Sequence, residues 1–241
     1  MIKPLPRAIL FDLDGTLADT APDLAGAMNR MRAVRGLAPT PYAELRPVAS
    51  AGARGLIGVA FGVKSGEDGF DALKVEFFDT YQGSLVVESC LFDGVAALLL
   101  ELQRRGIAWG IVTNKGSRFS VPLVAQIGLN QTACLISGDT TPHTKPHPEP
   151  LFEAARRMGL QPEDCWYVGD DLRDIDAGRA AGMPTIAAAW GYCGSTEPSA
   201  WQADWMVATP LGILDLLVPR VGRLHAESRQ PELAFETTDA K

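Results

Sequence analysis

Basic residues are in short supply. The 241-residue chain has 22 lysines and arginines against 29 aspartates and glutamates, a net charge of -7. Nucleic-acid binding normally needs a basic face, so that class is disfavoured. A small anionic substrate is not, because a local pocket can oppose the global charge. Cysteine is scarce as well. Cys90, Cys134, Cys165 and Cys193 include no C-x-x-C pair, and three lie in or beside apolar runs. That argues against a disulfide framework and for buried free thiols in a reducing cytoplasm. Long apolar runs are missing, so no bilayer span and no membrane partner are expected. Ile9-Leu10-Phe11 is too short an apolar core for a signal peptide, and Asp12 ends it. Histidine occurs three times. His143 and His147 stand four apart, a zinc-like spacing only on a helix, and SGDTTPHTKPHPEP is too proline-rich for one. Zinc is therefore not expected there. His225 lies near the end of the chain, so general acid–base chemistry falls to a carboxylate.

What is present suits a sizeable core, with 46% hydrophobic residues. Short apolar runs read as strands at 8–11, 107–112, 133–136, 165–168 and 185–188. They alternate with helical patterns at 95–105, 118–127, 150–158 and 172–181. Gly106, Gly128, Gly159 and Gly182 follow those patterns, where a helix end favours positive φ. Strand–helix alternation with continuous apolar strands predicts an α/β fold with a buried, Rossmann-like, doubly wound parallel sheet. From 21 to 89 the periodicity is helical throughout. Leu24, Ala27, Met28, Met31 and Val34 recur at helix spacing, as do Phe70, Leu73, Phe77, Tyr81 and Leu85. The expected organisation is a discontinuous core at 1–20 and 90–218, a helical insert at 21–89 and a polar tail at 219–241. Gly52, Gly55, Gly58 and Gly62 lack a following G-K-[ST], so close helix packing is expected rather than a phosphate loop.

The chemistry concentrates at strand ends. In FDLDGT, Asp12 and Asp14 stand two apart after a buried strand, so they face the same side, about 6.6 Å apart. That is the end at which open α/β sheets bind ligands. Read alone, the pair could be a surface turn. The second acidic group, GDDLRDID at 169–176, also follows a strand. Helix N-terminal charge explains one or two acids, not this crowd. Crowded carboxylates repel unless a cation joins them, and hard oxygen ligands suit Mg²⁺. Thr113 and Asn114 follow a third strand, and Lys145, restricted by Pro146, follows a fourth. Separately these are a strand terminus and a surface lysine. Together they offer carboxylates, a hydroxyl and an ammonium to Mg²⁺ and a phosphate.

FDLDGTLADT, IVTN, TKPHPEP and VGDDLRDIDAGRAAG, spread over nearly the whole chain, resemble the four motifs of the haloacid dehalogenase superfamily. Within it the chain looks like the phosphoglycolate phosphatase group, whose helical cap lies between the first and second motifs. It is about as similar to N-acetylmuramic acid 6-phosphate phosphatases. The resemblance implies Asp12 as nucleophile and Asp14 as general acid–base. It implies Mg²⁺ held by the Asp12 carboxylate, the Asp14 carbonyl and Asp170. Thr113, Lys145 and the amides near Leu13 and Asn114 would hold phosphoryl oxygens. Asp174 would support the metal site or orient Lys145. Many relatives have serine where this chain has Asp171, which leaves open whether Asp171 reaches the metal through water. The partner implied is a small phosphorylated metabolite. A dehalogenase would lack Asp14, whereas a sugar phosphomutase would share all four motifs. In the insert, Arg54 of ASAGARGLI is the candidate cation for a substrate carboxylate; read blandly, it is a solvent-facing arginine.

Overall fold

The structure is a computed structural model that describes residues 4–194 and 196–218. Strand β1 (Ala8–Phe11) is wholly buried, and its neighbours explain why every residue is apolar. Ile9 and Phe11 enter one apolar cluster, while Ala8 and Leu10 enter another on the opposite face. Side chains alternate along a strand, so a strand covered on both faces must be apolar at each position. After β1 the chain forms β2 (Ala18–Asp19), α1 (Ala21–Val34), α2 (Tyr42–Leu45), a 3₁₀ turn (Arg46–Ala51), α3 (Gly52–Phe61) and α4 (Phe70–Gln82). It returns through β3 (Cys90–Leu91), which pairs antiparallel with β2. This two-stranded ribbon brackets the insert. There follow α5 (Val95–Arg104), β4 (Ala108–Val112), α6 (Ser117–Gln126), β5 (Leu135–Ile136), α7 (Glu149–Arg157), β6 (Cys165–Gly169), α8 (Leu172–Ala180), β7 (Thr185–Ala188), β8 (Trp205–Val207) and α9 (Ile213–Leu216).

The main sheet is parallel, in the order β5-β4-β1-β6-β7-β8. The chain builds outward from β1 through β4 to β5, then restarts on the other side at β6. β1 and β6 therefore flank the point where strand order reverses, and their carboxyl ends open on the same crevice. Phe11 sits opposite Val168, which brings Asp12 and Gly169 level with each other. The doubly wound α/β expectation holds, and helices cover both faces.

Several local readings differ. The expected strand at 133–136 is paired in strand geometry only at Leu135–Ile136. Ala133 still donates to the Trp109 carbonyl. β2 and β3 are two residues each, too short to show a period, and β8 is a short edge strand of mixed burial. Cys134 and Cys165 are buried free thiols, but Cys90 is exposed and Cys193 partly so. The insert glycines are not a uniform packing motif. Only at Gly55 would an added Cβ collide, 2.7 Å from the Val48 carbonyl. Gly52 and Gly62 take positive φ, and Gly58 has open space. The insert's Met28, Met31, Leu45, Leu56, Ile57, Phe77 and Tyr81 share one apolar cluster with Ile9, Phe11 and Ile111 of the sheet. The expected tail at 219–241, with His225, lies outside the described residues. Among those described, no helix is long and apolar enough to cross a membrane.

Candidate active site

Asp12 is the first residue beyond β1, and its N–H donates to the Val168 carbonyl of β6. That bond prolongs strand pairing by one residue and fixes the carboxylate over the crevice. Asp170 stands at the corresponding place after β6. Both are buried, as is Asp174 one turn into α8. One carboxylate oxygen from each lies within 4.8 Å of the others. Thr16 Oγ1 donates to Asp170 Oδ1 at 2.8 Å, while the Tyr192 N–H and Ser50 Oγ donate to Oδ2 at 3.0 and 3.1 Å. Gly15 is required beside it. Its φ is +84°, and a Cβ there would stand 2.1 Å from Asp170 Oδ2.

Lys145 is buried against this cluster, with 4% exposure, rather than lying on the surface. Its Nζ lies 2.8 Å from Asp12 Oδ1 and 2.7 Å from Asp174 Oδ1. It donates to the Val112 carbonyl and to the Tyr167 hydroxyl. Asn114 fixes its backbone from both sides: Nδ2 donates to the Lys145 carbonyl and Oδ1 accepts from the Lys145 N–H, each at 2.9 Å. The side chain of Asn114 is thus spent on positioning Lys145, a role that sequence reasoning did not assign. Burial alone would lower the Lys145 pKa, but Asp12 and Asp174 outweigh it and hold the ammonium charged.

Three buried carboxylates face one ammonium, and the imbalance shows in their proton affinities. Burial raises Asp12 to about 7, with Lys145 opposing and Asp174 and Asp14 adding to the rise. Burial, then Asp12 and Asp174, raise Asp170 to about 8. Asp12 Oδ1 is buried, with the Lys145 ammonium as its ion-pair partner. Excess buried negative charge fits a hard divalent cation, which would restore the ionised forms.

Asp14 lines the same cavity as Asp12 but keeps different partners. It accepts from Thr20 Oγ1 and pairs with Lys115 Nζ at 2.9 Å. Lys115, adjacent to Asn114, was not singled out from the sequence, although it directly continues IVTN. Its ammonium is almost buried and lies 4.7 Å from the Tyr81 ring centre. Asp171 is turned to other work. It caps α8, accepting from the Arg173 N–H, and forms an ion pair with the Arg173 guanidinium at 2.7 Å. Burial would raise its pKa, but Arg173 outweighs that and holds it low. Arg173 also donates to the Ser50 carbonyl at 2.7 Å, tying the insert to the fourth motif. Leu13 is fully buried, so only its backbone is available to a ligand.

A cavity of about 460 Å³ joins these groups to the insert. Asp12, Asp14, Thr113, Asn114 and Lys115 line it from the sheet side, and Arg54 and Lys74 from the insert. Phe77, Phe78, Tyr81 and Phe119 form an aromatic wall. Arg54 is exposed at the cavity rim and has no side-chain ion pair or hydrogen bond among the described residues. The insert group that reaches a core carboxylate, Ser50, carried no motif. Ser50 stands only four residues before Arg54 in the stretch already marked as cleft-facing.

Comparison with known proteins follows the same residues. The chain is 48% identical over 207 residues to a phosphoglycolate phosphatase of Xanthomonas campestris pv. campestris (strain 8004), covering 85% of this chain and 93% of the relative. It is 44% identical over 207 residues to an N-acetylmuramic acid 6-phosphate phosphatase of Pseudomonas putida, again covering 85% and 93%. The crystal structure of a predicted phosphoglycolate phosphatase from Haemophilus somnus 129PT superposes with a TM-score of 0.79 at 28% identity, over 88% of this chain and 98% of that one. The pattern of the haloacid dehalogenase-like hydrolases matches residues 6–182, a span that contains all the strand-end groups described above, and the chain belongs to that family.

Proposed function

We propose that this hydrolase is a Mg²⁺-dependent phosphatase that cleaves a small phosphomonoester through an aspartyl-phosphate on Asp12. The carrying observation is the arrangement at one cavity of two aspartates with different surroundings. Asp12 sits in a carboxylate cluster beside Lys145, and Asp14 sits with Thr20 and Lys115. Two carboxylates in unlike environments can divide nucleophilic and proton-transfer work.

Asp12 attacks phosphorus, its carboxylate oxygen forming a bond as the P–O bond to the leaving alkoxide breaks. Asp14 gives that oxygen a proton. In the second half, Asp14 takes a proton from water, which attacks the acyl-phosphate and releases inorganic phosphate and free Asp12. Splitting one displacement into two lowers each barrier, and proton transfer typically contributes ~10²–10⁴-fold. Lys145, Thr113 and the backbone amides near Leu13 and Asn114 hold the non-bridging oxygens, where most phosphoryl-transfer stabilisation is made. Asp12, Asp170 and the Asp14 carbonyl would hold Mg²⁺, with Asp174 supporting Lys145. The bound ion supplies charge neutralisation between the Asp12 carboxylate and the phosphate dianion. The helices at 21–89 act as the cap that closes the cavity over the substrate.

The substrate reading is a phosphomonoester that also carries a carboxylate, with 2-phosphoglycolate first. Both similar phosphatases are named for acids, and Arg54 offers an unpaired cation at the rim. A second reading, N-acetylmuramic acid 6-phosphate, is favoured by the size of the cavity and its aromatic wall, which a two-carbon acid leaves largely unused. Acid quench during turnover, followed by mass spectrometry of the peptide containing Asp12, tests the mechanism: a phosphoryl adduct on Asp12 is expected. Its absence under conditions of demonstrated burst kinetics would refute covalent catalysis at this residue. Comparing kcat/KM for the two acids and for an uncharged sugar phosphate decides the substrate. Preference for the uncharged compound would refute the acid reading.

A further inference from the structure

The loop between β5 and α7 carries Lys145 inward, and the same turn brings three other side chains together outside. The sequence spacing of His143 and His147 argued against a shared site because the segment is not helical. The structure reaches proximity by another route. The His147 N–H donates to the Thr144 carbonyl at 3.0 Å, folding the chain back on itself. The two imidazoles stack, with ring centres 4.2 Å apart and planes inclined at 22°. Glu149, the first residue of α7, turns its carboxylate onto both. Its Oε2 lies 2.6 Å from His143 Nδ1 and 3.9 Å from His147 Nδ1.

We propose that His143, His147 and Glu149 form a second metal site, selective for a borderline-soft dication such as Zn²⁺ and separate from the Mg²⁺ site. One ligand atom from each residue lies within 4.8 Å of the others, so a small closure of the exposed side chains brings them to a common ion. Two imidazole nitrogens and one carboxylate oxygen are a zinc donor set, whereas Mg²⁺ prefers oxygen alone. Three protein ligands leave a fourth position for water or an outside ligand. The Glu149 backbone N–H donates to His147 Nδ1 at 3.2 Å. That bond makes Nδ1 the acceptor nitrogen of this ring and occupies its lone pair, so an ion held at Nδ1 would displace this hydrogen bond. His143 and His147 have side chains 60% and 49% exposed, so an ion can enter from solvent. The buried carboxylate cluster lies on the other side of Lys145, and its oxygen-only donors suit a different ion.

The test is calorimetric titration of Zn²⁺ into the full-length enzyme with Mg²⁺ saturating, so that the carboxylate site is filled. One equivalent is expected to bind. His143→Ala and His147→Ala should each weaken it by at least the roughly 10–100-fold that loss of even an outer-shell partner costs. Glu149→Gln should weaken it as well. Co²⁺ in place of Zn²⁺ should give visible absorption in the parent protein that the double histidine variant loses, a readout independent of catalysis. Circular dichroism of each variant checks that the fold is kept, as expected for exposed side chains. Absence of Zn²⁺ binding under saturating Mg²⁺ would overturn the proposal. So would equal affinity in the histidine variants, or loss of binding in Asp170→Ala with retention in the double histidine variant, which would place the ion at the carboxylates.

Discussion

At the sheet end of the cavity, Asp12, Thr113 and Asp170 each stand directly beyond a buried strand, and their backbones are fixed by neighbouring strands. Across the cavity, Ser50, Arg54, Phe77 and Tyr81 come from a 3₁₀ turn and two separate helices. The first group inherits its positions from main-chain pairing in a parallel sheet. The second depends on how helices pack against one another, through an apolar cluster shared with the sheet. Chemistry is thus built on the part of the molecule with least freedom. Under the proposed function, selection among substrates falls to the part whose geometry follows from side-chain packing. If this contrast is right, damage at the sheet end should strike every substrate, and damage in the insert should discriminate.

The largest effect is expected at Asp12. Asp12→Asn should reduce turnover to background for all phosphomonoesters while leaving substrate binding measurable by calorimetry. Appreciable steady-state activity would break the assignment. Asp14→Asn should lose ~10²–10⁴-fold. Next comes the metal. Exhaustive EDTA treatment should abolish activity, added Mg²⁺ should restore it, and Asp170→Ala should lose metal affinity and rate together. Full activity of the chelated enzyme would remove the ion from the reading. Lys145→Met should then cost stability as well as rate, about 3–5 kcal/mol in urea denaturation of the metal-free protein, because it strands buried carboxylates. Arg54→Ala should leave stability within about 0.5 kcal/mol, as for other exposed side chains.

Arg54→Ala is also the sharper test of the insert. It should lower kcat/KM for a carboxylate-bearing substrate by roughly 10–100-fold through a lost charge-assisted pair, and barely change hydrolysis of p-nitrophenyl phosphate. Equal losses on both would show that Arg54 supports the insert rather than reading the substrate. The smallest effect on catalysis is expected at Gly55→Ala. Its new methyl meets the Val48 carbonyl at 2.7 Å and the Ala51 Cβ at 2.8 Å. It should destabilise by about 1–3 kcal/mol, while kcat for p-nitrophenyl phosphate measured well below the melting temperature stays unchanged.

The sequence by itself determined the alternation that makes an α/β fold, the strands at 8–11 and 185–188 to the residue, and the helical character of 21–89. It also marked Asp12, Asp14, Thr113, Asn114, Lys145, Asp170 and Asp174 as a group. All but Lys145, which stands nine residues beyond β5, were legible because they sit within a few residues of a strand whose apolar run is local information, and a strand end fixes direction. The order β5-β4-β1-β6-β7-β8 was decided only in three dimensions, and with it which carboxylates meet. The structure alone turned Asp171 to Arg173, spent the Asn114 side chain on the Lys145 backbone, and brought Lys115 to Asp14 and Ser50 to Asp170. It also folded a proline-rich loop so that His143 and His147 meet without a helix. The physical reason is common to the long-range contacts among these. A side chain's partner depends on contacts between residues as far apart in sequence as Thr16 and Trp190, 174 positions. No local period encodes such a contact; only the closing of the apolar core against the sheet selects it.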